Sequence, residues 1–325
     1  MTDPPIGLEK PLVAQVSDIA QPGVAGGLVD TTVDAGLELR TRSQWSYART
    51  RFLRHRLAMG GLFGLILLFA AGIFANYLAP YPVDQIDLTK VLSAPTTVGH
   101  HFLGTDEIGR DFLSRIIFGI RTSEEVGIFV AVVSSILGLI VGAIAGFYSG
   151  LLDNILMRIT DLTLTLPLLA VLLTVSALKG EGSQWRISII LALFLWPNIA
   201  RVVRGVFLSL REKEYVEAAK ASGAGDARIM FRHILPNTLG PIIVNGTIAV
   251  AAAIITEAAL SFLGFGIQPP TPSLGVLVAG GQTNPQQWWL TVFPGLTIVV
   301  VVLCVNFMGD GLRDALDPTQ RRVRA

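Results

Sequence analysis

The sequence predicts an all-α, polytopic membrane protein of about six transmembrane helices. Three observations carry that expectation. The chain is 51% hydrophobic and only 15% charged, whereas soluble domains carry about 25% charged residues. Its apolar residues gather in separate runs of about 20, the length that crosses a hydrocarbon core of roughly 30 Å. Its Lys and Arg residues fall mainly on one side of those runs, as they do in membrane proteins of fixed orientation. Six runs of spanning length argue against a soluble protein with deeply buried helices.

Taken in order, residues 1–48 are rich in Pro, Gly, Ala and Asp and have no sustained apolar period. They are expected to form a disordered tail. The first span, about 57–79, follows a basic run. It starts too late in the chain, and its core of about 23 residues is too long, for a cleaved signal whose apolar region runs 7–15. The second, about 126–148, carries Ser134, Gly138, Gly142 and Gly146 at every fourth position, with Gly150 continuing the series. Such a small-residue stripe lets another helix approach closely, either within the chain or from a partner subunit.

The third span, about 159–178, holds Asp161 and Pro167; the fourth, about 187–207, holds Pro197, Arg201 and Arg204. The fifth, about 239–263, holds Glu257, and the sixth, about 290–308, holds Pro294 and Cys304. Each of Pro167, Pro197 and Pro294 can kink its span where neighbours satisfy the freed carbonyls. Charges at membrane depth are costly and face a bundle interior or a water-filled path. Asp161 lies three residues after Arg158, a spacing that permits a local pair. Glu257 is read either as lining a path or as a structural hydrogen bond to a neighbouring helix. Trp288 and Trp289 suit an interfacial aromatic belt.

With both termini in the cytoplasm, 19 basic residues fall inside and 6 outside. That bias predicts cytoplasmic termini, a cytoplasmic segment at 208–236 and a basic cytoplasmic tail at 319–325. The net charge of +1 gives no field for nucleic acid. The single cysteine, Cys304, forms no internal disulfide and says nothing about redox compartment.

Residues 208–236 read as two short amphipathic helices. The first runs about 214–222, with Tyr215, Ala218, Ala219 and Ser222 on one face. Gly223 supplies a residue able to take a positive φ at the helix end. Asp226 is placed to cap a second helix, in which Ile229, Met230 and Phe231 are apolar, and Pro236 is expected to break it. So small a unit needs a partner or the membrane surface to cover its apolar face. Both readings follow from the pattern alone.

Glu217-Ala218-Ala219, then Gly223, then Leu235-Pro236 resembles the EAA loop of ABC importer permeases. There the loop is the coupling helix that docks on the ATP-binding subunit. One departure is His233, where the family's pattern has Ile two residues before Leu-Pro. The runs LGTDEIGRDFLSR at 103–115, LSFLGFGIQPPTPS at 260–273 and GDGLRDALDP at 309–318 are similar to the dipeptide/oligopeptide/nickel permeases, and to their C-type member in particular. The resemblance covers roughly 50–318 and marks 49–318 as a permease domain. It implies a multi-pass protein of the inner or plasma membrane that forms half of a path for short peptides, with nickel or another small solute as the alternative. It implies a second homologous permease, ATP-binding subunits, an extracytoplasmic substrate-binding protein and membrane lipid as partners. The coupling residues it implies are Tyr215, Glu217, Ala218, Ala219, Gly223, Asp226, Phe231, Leu235 and Pro236.

A chain that hydrolysed ATP itself would be expected to carry the G-x-x-x-x-G-K phosphate loop. None of the five lysines follows a glycine. No catalytic residues and no cofactor are therefore expected on this chain, with ATP and Mg²⁺ on partner subunits. His100-His101 invites a metal reading, but no Cys/His cluster has zinc spacing, and no metal site is expected. A self-contained channel or secondary transporter is the rival class. Such proteins often show inverted repeats, and none stands out.

Overall fold

The computed structural model of the chain describes residues 44–178 and 183–316. Most of the expected N-terminal tail, the basic C-terminal tail and Lys179 lie outside those residues. The described residues are mainly helical, without strands, which is the expected fold class. Helix α1 (Gln44–Arg54) leads into α2 (Arg56–Ile73), and α3 (Ala75–Leu78) follows a bend at Phe74. An irregular segment then leads to α4 (Phe112–Tyr148), at 37 residues one of the longest helices. Next come α5 (Gly150–Thr165), α6 (Leu168–Leu178) and α7 (Gln184–Arg211). The segment α8 (Glu214–Ala221), α9 (Asp226–Arg228) and a π-helical turn (Ile229–Ile234) joins α7 to α10 (Leu235–Phe262). Finally α11 (Leu274–Thr283) precedes α12 (Trp289–Leu316).

Five of these helices are long and apolar enough to cross a membrane, and α5 with α6 makes a sixth if the pair is one span. That pair corrects the expectation of a merely kinked third span: it bends by 79°. The cause is local. The residue before a proline is pushed out of the helical region, and Leu166 takes φ −71° and ψ 130° in front of Pro167. By contrast α7 and α12 run through Pro197 and Pro294 without interruption. The second span begins at Phe112 and not near 126, because Arg115, Arg121, Glu124 and Glu125 lower the hydropathy of its first turns while leaving the helix intact.

Helices α4 and α7 form the central pair, and the stripe on α4 explains how closely they meet. A Cβ at Gly138 would stand 2.7 Å from Ile199 Cβ, one at Gly142 2.5 Å from Ala200 O, and one at Gly146 2.6 Å from Phe207 Cβ. Ser134 is fully buried on the same helix. The glycines of the stripe therefore make an internal contact. Around the pair, Phe147, Val203, Phe207 and Ala249 form one apolar core, and Val126, Val130, Leu191 and Leu260 form another. Exposed Phe63, Ile66, Ile136, Ile140, Leu296, Val299 and Leu303 form the outward apolar surface. A soluble monomer rarely shows so much of it.

The irregular segment 79–111 packs at one end of the bundle, where Leu92 and Leu103 meet Trp289 and Phe112. The segment from α8 to the π turn packs at the other, against Phe147 and Phe207.

Candidate coupling segment and pathway residues

The segment 214–236 is a helix, a glycine stop and a second helical stretch, as the sequence suggests, but its packing differs from expectation. Val216, Ile229 and Ile234 are fully buried against Phe147, Val203 and Phe207. The unit thus covers part of its apolar face on its own chain. What it leaves outside is Tyr215, Ala218, Ser222 and Phe231, the last 67% exposed. Ala219 is half-buried, and Glu217 stands exposed in the first turn of α8, where a negative charge suits the helix dipole. The Tyr215 hydroxyl shares a hydrogen bond with Asn237, and partial burial raises the phenol's pKa above its ordinary value.

Gly223 ends α8 with φ +80°. Its N–H donates to Lys220 O, and the N–H of Ala224 donates to Ala219 O. These two bonds form a Schellman motif, which satisfies carbonyls left open at a helix end. No atom lies within 4 Å of a Cβ built at Gly223, so its backbone, not crowding, calls for glycine.

Two expectations here are corrected. Gly225, not Asp226, occupies the cap position, and Asp226 is the first helical residue. Pro236 does not break the helix, since the chain runs helically from Asp226 to Phe262. Pro236 falls in the first turn of α10, after the π turn, where a missing N–H costs little. Leu235 opens that helix and is half-buried.

Glu257 is fully buried on α10. Its carboxylate accepts from Ser123 Oγ of α4 at 3.3 Å and from Ser261 Oγ at 2.6 Å, and Ser273 also bonds to it. It joins helices inside the bundle. Asp161 does not pair with Arg158: it accepts from Arg201 Nη2 on α7 at 2.5 Å, and both side chains are about half exposed. Helix α5 turns Arg158 to the outside while Asp161 meets α7.

A second link between these helices is not evident from local spacing. Arg204 donates to both oxygens of Asp153, at 2.5 and 2.7 Å, with the carboxylate 10% exposed. Asp153 falls between the second and third apolar runs and Arg204 shares the fourth with Arg201, so the sequence does not single the pair out. At the same end, Arg211 Nη1 donates to Phe147 O and Ser149 Oγ, which fixes the end of α7 beside the α4–α5 junction.

Among the described residues no three His, Cys, Asp or Glu side chains gather as a metal site. His101 is buried, stacked on Tyr81, with Nδ1 3.0 Å from Asp111 Oδ1. Asp111 in turn caps α4 by accepting from Ser114 N. That arrangement fixes the helix start.

A helical bundle with apolar runs of membrane-spanning length and a short helical segment packed against one end of its central pair defines a polytopic membrane protein. Family models agree. Residues 138–322 match the binding-protein-dependent transport system inner membrane component, and residues 43–95 match the N-terminal transmembrane domain of oligopeptide transport permease C. The chain is 40% identical to the oligopeptide transport system permease protein OppC of Mycobacterium bovis, over 84% of this chain and 94% of that one. It is 39% identical to the di/tripeptide permease DppC of Pseudomonas aeruginosa, over 82% and 89% of the two chains. It is also 39% identical to the glutathione permease GsiD of Pectobacterium atrosepticum, over 85% and 92%. An inward-facing structure of the MetNI methionine ABC transporter shares the fold. Its TM-score is 0.52 at 18% identity, covering 62% of this chain and 96% of that one.

The chain therefore belongs to the OppC/DppC-like permeases of the binding-protein-dependent transport systems. It is a multi-pass protein of the inner membrane.

Proposed function

We propose that this chain forms half of the translocation path of an ATP-driven importer of short peptides, and that residues 214–231 couple it to a separate ATPase subunit. The observation that carries the coupling role is the two-sidedness of the segment. Val216, Ile229 and Ile234 anchor it on α4 and α7, while Tyr215, Ala218, Ser222 and Phe231 face outward. A surface so anchored moves with α7 and α10, which is what transmission of a domain motion requires. Peptide as the substrate class is supported by the relatives, named as oligopeptide, di/tripeptide and glutathione permeases. In this reading ATP and Mg²⁺ bind on the ATPase subunits. A second, homologous permease completes the path, and an extracytoplasmic binding protein delivers the peptide. Both termini are cytoplasmic, on the basis of the 19 to 6 distribution of basic residues. Glu257 holds α4 to α10 and does not meet substrate.

The test is Phe231→Asp, measured as co-purification of the ATPase subunits with the membrane complex. Loss of an exposed aromatic anchor at an interface costs about 2 kcal/mol or more, so the ATPase should dissociate while the permease stays in the membrane at its normal level. Full retention of ATPase would place the segment on the lipid surface and remove the coupling role.

A further inference from the structure

Helices α5 and α7 present polar faces that lipid cannot accommodate. On α5, Asn154, Arg158, Asp161 and Thr165 recur at i, i+4, i+7 and i+11, and all are exposed or half exposed. On α7, Asn198, Arg201, Gly205 and Ser209 recur at i, i+3, i+7 and i+11 and are all exposed. The ion pair from Asp161 to Arg201 joins the two rows. Nothing stands within 4 Å of a Cβ built at Gly205, and Arg158 has no ion-pair partner among the described residues.

Depth follows from the packing. Arg211 bonds to Phe147 and Ser149, so the ends of α4 and α7 and the start of α5 stand at one level. Arg201 lies ten residues back along α7, about 15 Å away at 1.5 Å per residue. That is about half of a hydrocarbon core roughly 30 Å thick. The neighbouring face of α5 is different in kind: Leu151, Ile155, Ile159 and Leu162 are all exposed and apolar. One helix thus shows an apolar face fit for lipid and, beside it, a face fit for water.

We propose that the polar rows of α5 and α7 form the water-facing wall of the cytoplasmic half of the path, and that Arg158 faces the carboxylate of a passing solute. This rests on the reading of the chain as half of a translocation path. Asp161 neutralises Arg201 and leaves Arg158 as the net charge of the wall. A cation with no counter-ion at this depth is costly unless water or an anion meets it. The free C-terminal carboxylate of a peptide supplies that anion.

The experiment uses the assembled transporter in inverted membrane vesicles, with Cys304→Ser as background. Single cysteines replace Asn154, Arg158, Asn198 and Ser209 in the polar rows and Leu151, Ile155 and Ile159 on the apolar face. A charged, impermeant maleimide should label the first set at least about tenfold faster, because a thiol in apolar surroundings is held in its unreactive protonated form. In parallel, in right-side-out vesicles loaded with ATP, Arg158→Gln should lower uptake of a short peptide with a free C-terminus more than uptake of the same peptide amidated. Equal labelling of the two sets, or protection of the polar rows, would overturn the wall. An unchanged ratio of free to amidated uptake in Arg158→Gln would overturn the role of Arg158. Failure of the permease reading itself is distinguishable, since the unmutated transporter would then show no ATP-dependent uptake.

Discussion

At the scale of single residues, the energetics separate positions that look alike in the sequence. Asp153 and Asp161 are both carboxylates on α5 paired to arginines of α7, yet their settings differ. The first pair is bidentate, with the carboxylate 10% and the Arg204 side chain 35% exposed; the second is about half exposed on both sides. Removing one partner of a fully buried pair costs about 3–5 kcal/mol, and exposed pairs contribute about 0–1 kcal/mol. Arg204 is about a third exposed, which reduces the former figure. Asp153→Asn should therefore destabilise the protein by about 1–3 kcal/mol, against under about 1 kcal/mol for Asp161→Asn. Thermal unfolding of the detergent-solubilised protein measures both, and equal losses would contradict the assignment. Gly223 tests a different force. A side chain at its positive φ carries about 1–2 kcal/mol of strain, so Gly223→Val should leave membrane levels normal while uncoupling ATP hydrolysis from uptake. Glu217→Lys should have a weaker effect, through an exposed charge screened by salt, and the deficit should change between low and high ionic strength.

At the scale of elements, hydropathy located the apolar interiors of the spans but not their ends. Helix α4 starts fourteen residues before its apolar run because its outer turns carry Arg115, Arg121, Glu124 and Glu125. Helix α11 left no spanning run at all; Ser273, which accepts from Val276 N, was its only local signal. The 79° turn at Pro167 was legible only as a kink, since one proline does not reveal how far the next helix swings. In the proposed coupling segment, the helix, the glycine stop and the face carrying Tyr215, Ala218 and Ser222 were readable from periodicity and spacing, whereas the separation of exposed Phe231 from buried Ile229 was not. The anchoring through Val216, Ile229 and Ile234 was not either, because it depends on Phe147, distant in sequence, and on the fold that sets it beside Phe207. The glycine stripe was readable as a close contact, and only the fold identified α7 as its partner. Gly142→Leu would drive its side chain into Ala200 O and Val203. Overpacking of this kind costs typically about 1–3 kcal/mol, and membrane levels of the permease should fall sharply. Normal levels and transport would contradict close packing.

At the scale of the whole molecule, the fold puts Gln85 and Gln286 toward one end of the bundle and Ser222 at the other, all three exposed. Charge then assigns the ends to sides of the membrane. Single cysteines at Gln85 and Gln286 should react with an impermeant maleimide in intact cells, and one at Ser222 should not. The opposite pattern would invert the topology and move the proposed coupling segment away from any cytoplasmic ATPase. The central claim is that this chain moves solute because ATP hydrolysis acts on it from outside its own sequence. Its most direct test is uptake of a labelled short peptide into proteoliposomes holding the complete transporter, with ATP supplied on the side of the coupling segment. Uptake should require ATP, be abolished without the ATPase subunits, and fall with Phe231→Asp. Uptake driven by an ion gradient in the absence of ATP and of the ATPase subunits would contradict the account and identify the chain as a self-contained transporter.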